Sequence, residues 1–128
     1  MNAVSSKRLL LVEDDPDIGG LLQDFLTDEG YEVRLAKNGQ EALNALLGNE
    51  TRPALILLDL MMPVMDGREF CAARKAHPEI MSIPIVLMSA DTNLGESGAA
   101  LGATAYIKKP LDIDQLLSTV ERLSAPKG

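Results

Sequence analysis

The sequence predicts an α/β fold built on a doubly wound, five-stranded parallel sheet with five helices. Two observations support this prediction. Short apolar runs, which are typical of strands buried on both faces, alternate along the chain with segments in which apolar residues recur at helical spacing. Turn and capping residues separate almost every such pair, so strand and helix alternate from one end of the chain to the other.

Five strands are predicted, and their patterns differ. The first, third and fourth are continuous apolar runs, the second alternates apolar and polar residues as an edge strand does, and the fifth is short. Pro84 can stand only at the beginning of the fourth strand because it lacks the N–H that a strand ladder uses. The predicted strands comprise residues 8–12, 31–36, 54–58, 83–88 and 105–107.

Each predicted helix combines an apolar stripe with recognisable end signals. Asp15 is a typical N-cap with Pro16 at the first helical position, and Gly30 ends the first helix. The fourth helix, residues 92–101, contains Gly95 and Gly98, each of which costs about 1 kcal/mol relative to Ala. The other helices begin at three caps, each with Glu or Gln three residues later: Asn38, Asp66 and Asp112.

The order 2-1-3-4-5, the flavodoxin-like arrangement, is predicted because the three continuous apolar runs belong at the centre of the sheet. In such a sheet the connections reverse direction between the first and third strands. Ligands bind beyond the carboxyl ends of the strands at that switch point. The residues that follow strands one and three are therefore the first candidates for a functional site.

Length and composition exclude several classes of protein. The 128 residues fit one domain, residues 1–128, with a core over about 7–123 and a tail or linker start at 124–128. A net charge of −7 and 3% aromatic residues argue against a nucleic-acid surface. No apolar run is long enough to cross a membrane, and the single cysteine, Cys71, fits a reducing cytoplasm.

Carboxylates converge at the predicted switch point. The first strand ends in Glu13, Asp14 and Asp15, and the third ends in Asp59. Carboxylates this close destabilise the fold unless a cation neutralises them, and oxygen ligands without His or Cys select a hard cation such as Mg²⁺. Asp15 is better explained as the helix cap, whereas Asp14 and Asp59 together point to a metal site.

The same edge of the sheet carries a hydroxyl and an ammonium group. Ser89 ends the fourth strand, and Lys109 follows the fifth. An acidic cluster, a divalent metal, a hydroxyl and a lysine are the groups needed to handle a phosphoryl group, with a carboxylate as the attacking nucleophile. Ser89 or Lys109 alone at a strand end would indicate little, but both at the same edge as the acidic cluster favour this interpretation.

Four motifs, in this order and at these strand ends, resemble the receiver domain of two-component response regulators from Arg8 to about Leu123. They are residues 11–15 (LVEDD), 58–67 (LDLMMPVMDG), 88–90 (MSA) and 105–110 (AYIKKP). The resemblance implies that Asp59 accepts a phosphoryl group from a sensor histidine kinase or phosphotransfer protein, with Lys109 beside it.

The resemblance also implies a metal site and a switch. Mg²⁺ would be held by Asp59, by Asp14 directly, by Glu13 through water and by the Met61 main-chain carbonyl. Ser89 and Tyr106 would form the switch pair, with Ser89 turning toward the phosphoryl group and Tyr106 moving inward. The surface of the fourth helix, the fifth strand and the fifth helix would then contact a downstream protein target of unknown identity. Such a domain is a phosphoacceptor regulator and not an enzyme that acts on a separate substrate. The only reactions it would catalyse are its own phosphorylation and dephosphorylation.

Other functions fit the residues less well. A phosphatase of the haloacid dehalogenase type needs an Asp two residues after its nucleophile, where this chain has Met61, and substrate-binding insertions for which the chain has no room. A flavin mononucleotide carrier would meet repulsion between the ligand phosphate and the acidic cluster. A receiver-like module that binds partners without phosphorylation is disfavoured by the presence of Asp14, Asp59, Ser89 and Lys109.

Overall fold

A computed structural model describes residues 4–48, 51–62, 64–90 and 99–125. It contains one five-stranded sheet in which every pair of neighbouring strands is parallel. The order β2-β1-β3-β4-β5 confirms the predicted flavodoxin-like topology. The strands are β1 (Val4–Val12), β2 (Glu32–Ala36), β3 (Arg52–Asp59), β4 (Ile85–Ser89) and β5 (Ala105–Lys108).

Five helices lie wholly within the described part of the chain. They are α1 (Pro16–Asp28), α2 (Gly39–Leu47), α3 (Gly67–Arg74), α4 (Pro78–Met81) and α5 (Ile113–Ser124). The four-residue α4 is absent from the sequence-based expectation, because a single turn gives no apolar periodicity to read. The predicted helix over residues 92–101 lies outside the described residues except at its end, where residues 99 and 100 are helical.

The predicted N-caps of the four longer helices are confirmed. In each, the cap side chain accepts hydrogen bonds from backbone N–H groups of the first turn. Asp66 and Glu69 form a complete capping box at the beginning of α3. At α2 the box is incomplete, since the Glu41 carboxylate accepts from the N–H of Lys37 and not from that of Asn38.

Two apolar layers enclose the sheet because successive strand residues point to opposite faces. Leu10 of β1 belongs to the layer under α2 and α3, whereas its neighbour Leu9 belongs to the layer under α1 and α5. All five residues of β4 are buried, as a central strand requires, while β2 at the edge alternates in exposure. Burial of each Leu or Ile contributes about 1.5–3 kcal/mol, so the two layers hold the sheet in register.

The register brings the carboxyl ends of the strands together. Val12 pairs with Ala36 on one side and with Leu58 on the other, so the residues after β1 adjoin the end of β3. Asp59 pairs with Met88, which places the end of β3 beside the end of β4. None of the helices among the described residues is both long and apolar enough to span a bilayer.

Candidate functional site

A cleft of about 310 Å³ opens at the carboxyl ends of β1, β3, β4 and β5. It lies at the switch point between β1 and β3, where the topology predicts a ligand. Nine residues line it: Glu13, Asp14, Asp15, Ile18, Asp59, Met61, Ser89, Ala90 and Lys109. All the site residues expected from the sequence are among them except Tyr106.

Three carboxylates form the acidic part of the cleft. One oxygen from each of Glu13, Asp14 and Asp59 can be chosen so that all three lie within 4.8 Å of one another. Glu13 and Asp59 are buried, with 2% and 5% of their surfaces exposed, whereas Asp14 is exposed. Asp15 instead accepts hydrogen bonds from the N–H groups of Asp17 and Ile18, so its helix-capping role is as expected.

Lys109 supplies the positive charge that the buried carboxylates need. Its Nζ lies 3.3 Å from Oδ2 of Asp59 and 3.4 Å from Oε1 of Glu13. The ammonium group therefore bridges the two buried acids, and each contact is a charge-assisted hydrogen bond. The backbone N–H of Lys109 donates to the carbonyl of Ser89, which ties the loop after β5 to the end of β4.

One cation does not fully compensate two buried acids. Burial raises the pKa of Glu13 to about 7, and the hydrogen bond and charge of Asp59 act in the same direction, outweighing Lys109 and the Asp15 N–H. Burial lowers the pKa of Lys109, but attraction to Asp59 and Glu13 outweighs it and leaves that pKa above its usual value. Near neutral pH a further positive charge close to Glu13 and Asp59 would therefore be favourable.

A divalent cation fits this donor set. The ligands are oxygen atoms only, which suits Mg²⁺. A cation bound there would offset the burial and the neighbouring Asp59 charge that raise the pKa of Glu13. Met61 comes to the cleft because its backbone N–H donates to Oδ1 of Asp59 at 3.2 Å. This bond also fixes the orientation of the Asp59 carboxylate.

The loop that follows β3 is held by close backbone contacts. The N–H of Gly67 donates to the carbonyl of Leu60, and a Cβ on Gly67 would lie 2.9 Å from the Leu60 Cα. The N–H of Gly39 donates to the carbonyl of Met65, and a Cβ there would lie 2.7 Å from the Met65 Cγ. Glycine is needed at both positions because a Cβ at Gly67 would also lie 3.0 Å from the Asp59 carbonyl oxygen, and one at Gly39 would lie 2.8 Å from the Met65 carbonyl oxygen, so the loop backbone would have to shift.

Ser89 and Tyr106 occupy different environments. Ser89 is buried at the end of β4 with 2% of its surface exposed, and it lines the cleft. Tyr106 lies on β5 with 50% of its surface exposed. The tyrosine ring is therefore outside the core in this conformation. That Ser89 and Tyr106 act together as a switch therefore stays a prediction.

Two cleft residues, Ile18 and Ala90, were not assigned to the site from the sequence, although Ala90 belongs to the motif over residues 88–90. Ile18 lies on the first turn of α1, just after the acidic motif, and Ala90 directly follows Ser89 at the end of β4. Their apolar side chains carry no chemical signal in a sequence. Only their positions next to residues already identified could have pointed to them.

Comparisons with known proteins agree with this geometry. The model of the response regulator receiver domain family matches residues 9–121. Response regulator Rre1 of Synechocystis is 37% identical over 120 residues, which are 91% of this chain and 51% of that protein. The chain spans about half the length of the curated relatives it matches.

Solved structures agree as well. A putative response regulator from Chloroflexus aurantiacus superimposes with a TM-score of 0.85 at 31% identity, covering 94% of this chain and 98% of that one. Response regulator TrrA of Thermotoga maritima, solved in complex with Mg²⁺ and BeF, gives a TM-score of 0.76 at 33% identity, covering 91% and 98%. From the matched motifs, topology and acidic cleft, the chain belongs to the receiver domain family of two-component response regulators.

Proposed function

We propose that Asp59 is the phosphoacceptor of this receiver domain. In the reaction a carboxylate oxygen of Asp59 forms a bond to phosphorus while the phosphorus–nitrogen bond of a phosphohistidine breaks. The imidazole nitrogen leaves with the electron pair of that bond, and an aspartyl phosphate results. The donor is a sensor histidine kinase or a phosphotransfer protein, the partners with which receiver domains react.

The observation that carries the proposal is the contact between Lys109 and Asp59. The Met61 N–H holds one oxygen of the Asp59 carboxylate, and the Lys109 ammonium holds the other. A phosphoryl group attached to Asp59 would bring its oxygens next to that ammonium, which would stabilise the charge that the transfer develops. Asp14 lines the same cleft but has no such partner in the described part of the chain.

Glu13, Asp14, Asp59 and the Met61 carbonyl would hold Mg²⁺. When bound, Mg²⁺ supplies positive charge to the phosphoryl oxygens during transfer. Ser89 lines the cleft and would donate its hydroxyl hydrogen bond to the new phosphoryl group. Since Ser89 and Tyr106 lie on adjacent strands, a rotation of Ser89 would free space for Tyr106 to turn inward.

The signal would leave through protein contact. We place the responding surface on β5, α5 and residues 92–101, and the partner there is a downstream protein rather than a nucleic acid or a membrane. The chain acts in this scheme as a regulator that promotes its own phosphorylation and dephosphorylation. A cytoplasmic location agrees with the buried, unpaired thiol of Cys71.

Intact mass after incubation with a small phosphodonor tests the assignment of Asp59. The wild type is expected to gain one phosphoryl group in the presence of Mg²⁺ and none without it. Asp59→Asn should gain none, whereas the matched variant Asp24→Asn, which removes an exposed carboxylate on α1, should react as the wild type does. Circular dichroism checks that both variants fold.

Two results would contradict the proposal. Phosphoryl gain by Asp59→Asn would move the acceptor to another residue. No gain by a folded wild type with any donor would favour a module that binds its partners without phosphorylation.

A further inference from the structure

We propose that a second cleft, at the opposite edge of the sheet, binds a small organic oxyanion with an apolar body. This cleft has a volume of about 790 Å³ and is larger than the acidic cleft. It lies at the amino ends of β3, β4 and β5 and at the carboxyl ends of α3 and α5, beside Pro53, Pro84 and Thr104. The proposal is independent of phosphoryl transfer to Asp59.

Arg74 provides the first argument. Its side chain lines the cleft, yet only 4% of the residue is exposed, and it forms no ion pair with a carboxylate of the described residues. Nη1 donates to the carbonyl of Ile83 at 3.2 Å and Nη2 to that of Gly102 at 3.3 Å. Two of the five N–H donors are thus used, and Nε is buried without a partner.

A buried guanidinium group without a counter-charge is costly. Removing a charge from water costs several kcal/mol unless an opposite charge and hydrogen bonds compensate it. Arg74 stands in the last turn of α3, where a cation is favourable, but a helix terminus carries only a partial negative charge. Its guanidinium group donates to the carbonyls of Ile83 and Gly102, which are neutral acceptors. An anion in the cleft would supply the missing charge.

The remaining lining of the cleft provides the second argument. Arg122 of α5 also faces it and is exposed, with no ion pair to a described carboxylate. Not one Asp or Glu is found among the described residues of the lining, although the whole chain has 19 acidic and 12 basic residues and a net charge of −7. Two arginines therefore line a cleft whose described lining residues include no carboxylate. Guanidinium groups bind carboxylate and phosphate oxygens in bidentate fashion.

The cleft also has an apolar wall, which indicates that the ligand has an apolar part in addition to its oxyanion. Ile83, Pro84 and Leu123 line it together with the two arginines. Apolar surface of this kind contributes affinity for a carbon skeleton, whereas inorganic phosphate could use only the arginines. A phosphate ester or a carboxylate with an aromatic or aliphatic body matches both parts of the cleft.

The test is a nuclear magnetic resonance titration of the full ¹⁵N-labelled chain with phenyl phosphate, benzoate and inorganic phosphate. It is carried out without Mg²⁺ and at constant ionic strength. Phenyl phosphate, benzoate or both should cause saturable shifts at Gly102, Thr104 and the Arg74 Nε–H, with a Kd on the order of 1 mM or tighter. Inorganic phosphate should bind more weakly. If phenyl phosphate binds more tightly than benzoate, the natural ligand is a phosphate ester; if benzoate binds more tightly, it is a carboxylate.

Matched variants separate the cleft from general charge effects. Arg122→Gln should raise the Kd about tenfold, as expected for the loss of a charged hydrogen bond. Lys75→Gln removes the same charge from an exposed neighbour of Arg74 outside the lining and should leave the Kd unchanged. The proposal is overturned if no probe saturates, if the saturable shifts centre on Asp59 and Lys109, or if both variants change the Kd equally.

Discussion

Nζ of Lys109 lies 3.3 Å from Oδ2 of Asp59, although 50 residues separate the two in the chain. The contact is made because β5 ends beside β4, and β4 ends beside β3. Lys108, the residue before Lys109, is exposed and is not part of the cleft lining. The fold thus brings Lys109, and not Lys108, beside Asp59, which is the position that the resemblance implied for Lys109.

This difference predicts unequal effects of two matched substitutions. Lys109→Gln should slow phosphorylation by a small phosphodonor about a hundredfold, because it removes the charge that faces the phosphoryl oxygens. Lys108→Gln should leave the rate unchanged. Rates are measured by intact mass against time at saturating Mg²⁺, and equal slowing in the two variants would show that Lys109 has no special role.

The environments of Ser89 and Tyr106 predict how the switch responds. Phosphorylation should reduce the exposure of the Tyr106 ring, which is half exposed in this structure, while Tyr31, 7% exposed, serves as an internal control. In Ser89→Ala the domain should still be phosphorylated, but the Tyr106 ring should stay exposed. Ring resonances and their solvent accessibility measure this response. A Tyr106 that moves inward as fully in Ser89→Ala as in the wild type would rule out the coupling.

The strand order and the position of the cleft could be predicted from the sequence, because both depend on patterns of neighbouring residues. Continuous apolar runs identify central strands, and an acidic motif at the end of such a run can only lie at the carboxyl edge of the sheet. Most contacts between side chains on different strands could not be predicted from the sequence. The resemblance implied that Lys109 lies beside Asp59, but its second contact, with Glu13, and the buried donors of Arg74 follow from packing that no local pattern encodes.

Val64, in the loop after β3, predicts a gain in stability. Its φ is 67°, in the left-handed region that β-branched residues rarely adopt, and 78% of its surface is exposed. Left-handed backbone costs about 1–2 kcal/mol for most residues but less for Asn. Val64→Asn should therefore raise the free energy of unfolding by about 1 kcal/mol.

Denaturant unfolding measures that change, with Val64→Ile as the control. Isoleucine keeps the branched Cβ and hence the strain, so it should give no gain. Val64→Gly relieves the strain as well but increases the conformational freedom of the unfolded chain, so its gain should be smaller than that of Asn. Equal stability of the Asn, Ile and wild-type proteins would show that the loop is not strained.

The pKa of Glu13 predicts how stability depends on pH in the absence of metal. Burial raises this pKa from 4.5 to about 7, so between these values the folded protein holds a proton that the unfolded chain has released. The free energy of unfolding should therefore fall as the pH rises from about 4.5 to about 7. Lys109 adds no slope in this range, because its ordinary pKa of 10.5 keeps it charged in the unfolded chain and its raised pKa keeps it charged in the folded protein.

Glu13→Gln should remove this part of the slope, and Glu121→Gln, an exposed carboxylate on α5, should retain it. Mg²⁺ should stabilise the wild type more at pH 8 than at pH 5.5, because the cation competes with the proton for Glu13. At ten times its Kd the added stability is about 1.4 kcal/mol. Denaturant unfolding across this pH range, with and without Mg²⁺, measures both effects. If the difference between wild type and Glu13→Gln does not change with pH, then Glu13 is ionised throughout the range, and the buried acids are compensated by Lys109 alone.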